Sequence, residues 1–137
     1  MQHQKTAAFL MFVGAQSGKA EQAIRFYISL FKNSELKKIT YFKSGEPGNE
    51  GTVKHALFSL DGQEYMANDG GAAHQFSFTP AISIYVACQS GEEIAMLYEQ
   101  LSADGKILMP LGDYGFSKKF GWTEDRYGVS WQLNLEA

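Results

Sequence analysis

The sequence predicts an α+β protein built from two tandem βαβββ units. Three observations carry that reading: a strand-like phrase recurs about half a chain later, a stretch with helical apolar spacing follows each copy, and three more strand-like runs follow each helix. The repeated phrase is Phe9-Leu-Met-Phe-Val-Gly-Ala-Gln-Ser-Gly18 against Ile82-Ser-Ile-Tyr-Val-Ala-Cys-Gln-Ser-Gly91. Val13, Gln16, Ser17 and Gly18 return as Val86, Gln89, Ser90 and Gly91, at an offset of 86 − 13 = 73, and Phe12 returns as the aromatic Tyr85.

The elements follow in order. The apolar run Ala7 to Ala15 imitates a signal-peptide core and falls far short of the roughly 20 residues that span a bilayer. Its twin in the chain interior identifies it as a strand. Ala20, Ala23, Ile24, Tyr27, Leu30 and Phe31 then recur at helical spacing. Ser17 is the expected N-cap and Asn33 the expected stop. Strands are expected over Glu35–Phe42, Val53–Leu60 and Glu64–Asn68, with Asp61-Gly62 as a tight hairpin. Ser44 to Gly51 is a long connection and a candidate lid. Beyond the joint at Asp69 to Gln75, the second strand phrase leads into a helix marked by Ile94, Leu97, Tyr98 and Leu101. Ser90 is its N-cap, Glu92 and Glu93 lie where the helix dipole favours anions, and Gly105 is its stop. Strands near Lys106–Met109, Ser117–Thr123 and Val129–Leu135 complete the second unit. One domain over 1–137 is expected, with unit one at about 6–69, a linker at about 70–79 and unit two at about 80–137.

Composition narrows the function. Of 137 residues 45% are hydrophobic, which excludes a disordered chain, a collagen-like fibre and a disulfide scaffold. The net charge is only −3, with no Lys/Arg stripe of the kind that neutralises phosphates, so no nucleic-acid partner is expected, and no membrane partner either. Cys88 stands alone and forms no internal disulfide, in keeping with a cytoplasmic location. The aromatic share of 14% implies a dense core or an aromatic-walled pocket.

Several phrases carry a family resemblance: Phe26-Tyr27 followed by Leu30-Phe31, His55-Ala56-Leu57-Phe58, Leu60-Asp61-Gly62-Gln63, Gly121-Trp122 and Asp125-Arg-Tyr-Gly-Val-Ser-Trp-Gln132. Together they resemble the PhnB-like proteins, often labelled demethylubiquinone methyltransferases, of the vicinal oxygen chelate (glyoxalase/bleomycin-resistance) superfamily. The resemblance spans nearly the whole chain. It implies a curved mixed sheet forming a cup with helices outside, a small-molecule ligand within, and a homodimer.

The same resemblance implies where a metal would be held: by residues near the start of the first strand and on the last strand of each unit. Those positions are Ala8, Ala81, Met66 and Gln132, a set unsuited to a hard divalent cation. No metal or other cofactor is therefore expected. The alternative is a metal-dependent lyase, isomerase or dioxygenase using His55, Asp69 and His74.

Strand alternation assigns the cup face. With a two-residue turn at Asp61-Gly62, His55 opposes Asn68 and Leu57 opposes Met66, so His55 shares a face with Met66. His55 is the candidate general acid/base or ligand donor; the competing reading is a structural histidine satisfied by Asn68 or a carbonyl. The candidate ligand-binding residues are Phe12, Met66, Asn68, Asp69, Ser83, Tyr85, Trp122 and Gln132. Leu10 and Asn134 are expected on the same face, while Phe9, Met11, Val13, Ile82, Ile84, Val86 and Cys88 are expected beneath the helices.

Two motifs lead nowhere. Gly14-Ala-Gln-Ser-Gly-Lys19-Ala20 mimics a P-loop, but its glycine spacing is short and Ala20 lacks the hydroxyl that binds magnesium. A methyltransferase, the third functional alternative, lacks the glycine-rich turn after a strand that a nucleotide-like cofactor would need.

Overall fold

A computed structural model describes residues 4–71 and 73–136. The chain divides into two compact units, Met1–Ser77 and Phe78–Ala137.

Unit one runs β1 (Phe9–Phe12), a 3-10 turn (Gly14–Gln16), α1 (Ala20–Leu30), β2 (Glu35–Tyr41), β3 (Val53–Leu60) and β4 (Gln63–Asp69). Its sheet is ordered β1-β4-β3-β2, with β1 parallel to β4 and the other pairs antiparallel. Phe12, Ala56, Phe58 and Ala67 on the sheet and Ala23, Ile24 and Tyr27 on α1 are all 0% exposed, so one sheet face is closed by the apolar stripe of the helix. The β3–β4 turn has φ +49° at Asp61 and +82° at Gly62, the type I′ geometry whose twist matches the flanking strands.

Unit two repeats the plan with β5 (Ile84–Cys88), α2 (Gly91–Ser102), β6 (Lys106–Gly112), β7 (Phe120–Glu124) and β8 (Ser130–Leu135), in the order β5-β8-β7-β6. Ile94, Leu97 and Leu101 of α2 and Cys88, Thr123, Trp131 and Leu133 of the sheet are fully buried. The eight strands and two helices anticipated from the repeat are all present, with ends displaced by a few residues where strands fray into turns. Among the described residues no helix is long and apolar enough to cross a membrane.

The helix caps differ from one unit to the other. Ser90 caps α2 as expected: its side chain accepts from Glu93 N at 3.1 Å, and Glu93 Oε1 in turn accepts from Gln89 N at 2.7 Å. Ser17 does not cap α1, whose N-cap position is Lys19 with no side-chain hydrogen bond. Ser17 Oγ instead donates to Gly70 O at 2.6 Å. The amides at the start of α1 are served from across the unit by Asp69, whose Oδ1 accepts from Gly18 N at 2.8 Å and Ala20 N at 3.0 Å.

Candidate functional site

Each sheet has one face under its helix and an opposite, open face that the helix does not cover, on which Phe120 and Ser130 of unit two are nonetheless buried, and pairing register decides which side chains lie on which. In unit two, Tyr85 pairs with Gln132 and Trp122 also pairs with Gln132, so these three form one open-face row across β5, β8 and β7. Glu124 with Ser130 and Phe120 with Asn134 form the rows on either side. Ile84, Val86 and Cys88 lie on the helix side, as expected. Ile82 precedes β5 and is 73% exposed, so it is not packed beneath a helix.

A hydrogen-bonded chain links the polar members of this face. Trp122 Nε1 donates to Ser130 Oγ at 2.8 Å, Ser130 Oγ and Ser83 Oγ are 2.7 Å apart, and Gln132 Nε2 donates to Ser83 Oγ at 3.4 Å. Further along, Tyr85 Oη and Asn134 Nδ2 both donate to Glu136 Oε2, each at 2.5 Å. The hydrogen bond from Tyr85 is the main cause that holds the Glu136 carboxyl below its usual range, and the same bond raises the Tyr85 phenol. An aromatic ledge lies beside this surface: Phe116 packs edge-on against Phe120 at 5.1 Å between centroids and stacks with Tyr114 at 6.2 Å. Ser130, Phe120 and Glu136 were not anticipated. Ser130 was legible in principle, because it lies two residues before Gln132 on the same strand.

In unit one the open face carries Phe9 beside Met66 and Met11 beside Asn68, with Leu57 opposite Met66. His55 falls on this face as expected, and its ring centroid lies 6.0 Å from that of Phe9, reached across the intervening β4. Five assignments in this unit are corrected. Phe12 and Leu10 lie on the helix side, where Phe12 is 0% exposed, whereas Phe9 and Met11 take the open face. Asp69 also lies on the helix side: β4 extends through it, and neighbours on a strand point to opposite faces, so it cannot share one with Asn68. Both of its oxygens are occupied, since Oδ2 accepts from Val53 N at 2.9 Å in addition to the two α1 amides.

The cause of the displaced register is a mismatch of offsets. The sequence repeat aligns Val13 with Val86, but Leu10 beside Ala67 occupies the place of Val86 beside Leu133, an offset of 86 − 10 = 76 rather than 73. The two differ by an odd number, which exchanges the faces of a strand. The 3-10 turn Gly14–Gln16 takes up the additional residues before α1.

The positions that the resemblance implies for a metal carry Ala8, Ala81, Met66 and Gln132. Met66 is flanked by Phe9 and Gln132 by Tyr85, and Ala8 contributes a carbonyl already accepting from Met66 N at 2.9 Å. Among the described residues no group of three His, Cys, Asp or Glu side chains is placed to hold a metal. His55 and Asp69 are on opposite faces of one sheet, and His74 is exposed, its ring 4.8 Å from that of Phe76. Cys88 is buried, and burial pushes its thiol up to about 12, which removes it as a nucleophile.

The Asp125 to Gln132 motif has two parts. Asp125 Oδ1 accepts from Tyr127 N at 2.8 Å and Val129 N at 3.0 Å, while Oδ2 accepts from Trp131 Nε1 at 2.8 Å. These bonds shape the β7–β8 turn and anchor a buried tryptophan. Only Ser130 and Gln132 of the motif reach the open face.

Comparison with known proteins gives concordant findings. The family model described as 3-demethylubiquinone-9 3-methyltransferase matches residues 4–134. A Bacillus cereus structure described as a putative 3-demethylubiquinone-9 3-methyltransferase, PhnB protein, is 55% identical with a TM-score of 0.90, covering 96% of this chain and 99% of that one. Protein YjdN of Escherichia coli (strain K12) is 24% identical over 132 residues, covering 87% of this chain and 89% of its own. The fosfomycin resistance protein FosX of Listeria monocytogenes, 14% identical, covers 100% of this chain and 96% of its own with a TM-score of 0.68, and speaks for the fold alone.

Proposed function

Because the chain belongs to the PhnB-like, 3-demethylubiquinone-9 3-methyltransferase family and has the glyoxalase/bleomycin-resistance fold, we propose that it binds a small, partly aromatic metabolite on the open face of unit two, without a divalent metal. The observation that carries this reading is the chain of hydrogen bonds through Trp122, Ser130, Ser83 and Gln132. Polar side chains fixed in advance beside aromatic contact surface orient a ligand at low entropic cost. The aromatic ledge of Tyr114, Phe116 and Phe120, with Tyr85 across the face, supplies flat apolar contact.

The protein sequesters this ligand, as a cytoplasmic homodimer. The methyltransferase in the family's description would require a methyl donor, which the binding reading does not invoke. His55 supports a catalytic version of the same reading, since its imidazole is on an open sheet face, with its ring 6.0 Å from that of Phe9.

The test is a thermal-stability screen of protein purified without chelator against a metabolite library. A compound present at about 100 times its dissociation constant stabilises the fold by roughly 2.7 kcal/mol. The response should persist after EDTA treatment and weaken in Ser130→Ala. A library with no stabilising compound, or a response that EDTA abolishes, would overturn the proposal.

A further inference from the structure

The strand ends beyond the hydrogen-bonded chain hold a second group of polar atoms that the binding reading does not use. Asn134 Oδ1 is buried and has no hydrogen-bond partner among the described residues. Its amide is held in place because Nδ2 donates to Glu136 Oε2 at 2.5 Å. Tyr85 Oη donates to the same carboxylate oxygen, and the Tyr85 residue is 55% exposed. The open-face positions of β5, β7 and β8 carry no lysine or arginine: they are Tyr85 and Ala87, Phe120, Trp122 and Glu124, and Ser130, Gln132 and Asn134.

We propose that Asn134, Glu136 and Tyr85 form a subsite for a protonated amine, the cationic head of the ligand bound on this face. An ammonium group donates to the unpartnered carbonyl of Asn134 and to the Glu136 carboxylate, and lies against the electron-rich face of the Tyr85 ring. The inference rests on the binding reading above and deepens it, naming the ligand as an aromatic amine rather than a neutral or acidic aromatic. A buried acceptor left without a donor costs free energy, and an N–H donor from the ligand removes that cost.

Unit one provides an internal control. Asn68 occupies the place on β4 that Asn134 occupies on β8, and its Oδ1 is likewise buried without a partner. The place of Glu136, two residues further on, is taken by Gly70, which has no side chain. The amide is duplicated but the charge is not, so cation recognition is a property of unit two alone.

The experiment titrates the full chain with benzylamine, benzyl alcohol and benzoate at neutral pH, following the indole resonance of Trp122. Benzylamine should bind at least about tenfold more tightly than either analogue, as expected for charge-assisted over neutral hydrogen bonds. Glu136→Gln should bring the amine and alcohol to parity with no more than a small fall in melting temperature, and Asn68→Leu should leave the preference intact. Equal binding of amine and alcohol, or a preference that survives Glu136→Gln, overturns the proposal. If none of the three binds while a library compound does, the amine claim fails and the site stands. If nothing binds at all, both fail.

Discussion

The two units share a topology and differ in nearly every local device that sustains it. In unit one the helix start is held by a carboxylate from another strand: Asp69 reaches Gly18, Ala20 and Val53 amides. In unit two the same end is capped locally by Ser90 and Glu93, and the buried carboxylate, Asp125, has moved to the β7–β8 turn, where it holds two amides and the Trp131 indole. The open faces diverge in the same way, with Phe9, Met66 and His55 on one and Tyr85, Gln132 and Trp122 on the other. Strand order and apolar alternation therefore fix the architecture, while each unit satisfies its orphan amides and equips its open face independently.

The sharpest test of this contrast compares two caps. Asp69→Ala leaves three backbone amides without their acceptor and should cost on the order of 4 kcal/mol, since each buried unsatisfied donor costs roughly 1–3 kcal/mol. Ser90→Ala removes a single local cap and should cost about 1 kcal/mol. Chemical denaturation of both variants checks the ratio; equal losses would contradict the difference drawn between the helix starts.

Gly105→Ala is expected to be next in size. A Cβ there would meet the Glu124 carbonyl oxygen at 2.1 Å, so the backbone must shift, at a cost of about 1–3 kcal/mol. Ser34→Ala, just after the corresponding helix in unit one, loses two exposed hydrogen bonds, the one its Oγ accepts from Asp61 N at 3.0 Å and the one it donates to Lys32 O at 3.2 Å, and should cost less. The melting temperatures of the two variants measure this directly. On the open faces, Trp122→Phe should cost about 1 kcal/mol of stability through the lost bond to Ser130 and weaken ligand binding. His55→Ala should leave folding almost unchanged while abolishing any turnover; a collapse of stability would make His55 structural.

The smallest effect is a pH dependence. The Glu136 carboxyl is lowered by the Tyr85 hydrogen bond, so its contribution is present above the ordinary carboxylate range and is lost as pH falls through the lowered value. The Tyr85 phenol is raised by the same bond, so its contribution is present below the ordinary tyrosine range and is lost as pH rises through the raised value. Tyr85→Phe should flatten the stability profile at both extremes, which denaturation at stepped pH would reveal; an unchanged profile would contradict the pairing.

Much of this was legible in the residues. The repeat, the helix spacing and the Asp61-Gly62 turn yielded every strand and helix, and the turn parity correctly placed His55, Met66 and Asn68 on one face. The faces of β1 were not legible, because the most visible similarity, Val13 with Val86, is displaced by an odd number of residues from the pairing that the sheets adopt. Asp69 and Ser17 were misassigned for a related reason: a cap supplied from a distant strand leaves no local signature, whereas Ser90-Gly-Glu-Glu93 carries its own. Hydrogen bonds across strands, such as Ser83 to Ser130, depend on a register that no single segment encodes.

The protein contains two tryptophans, and they report on opposite sides of the unit-two sheet. Trp122 Nε1 bonds to Ser130 on the open face, and Trp131 Nε1 bonds to the buried Asp125 beneath. Titrating 15N-labelled protein with a stabilising compound, while following the two indole cross-peaks, tests the binding claim most directly. Binding on the open face predicts that the Trp122 signal shifts in a saturable manner while that of Trp131 stays close to its starting position. A titration that moves Trp131 and leaves Trp122 still, or moves neither at saturation, would contradict it.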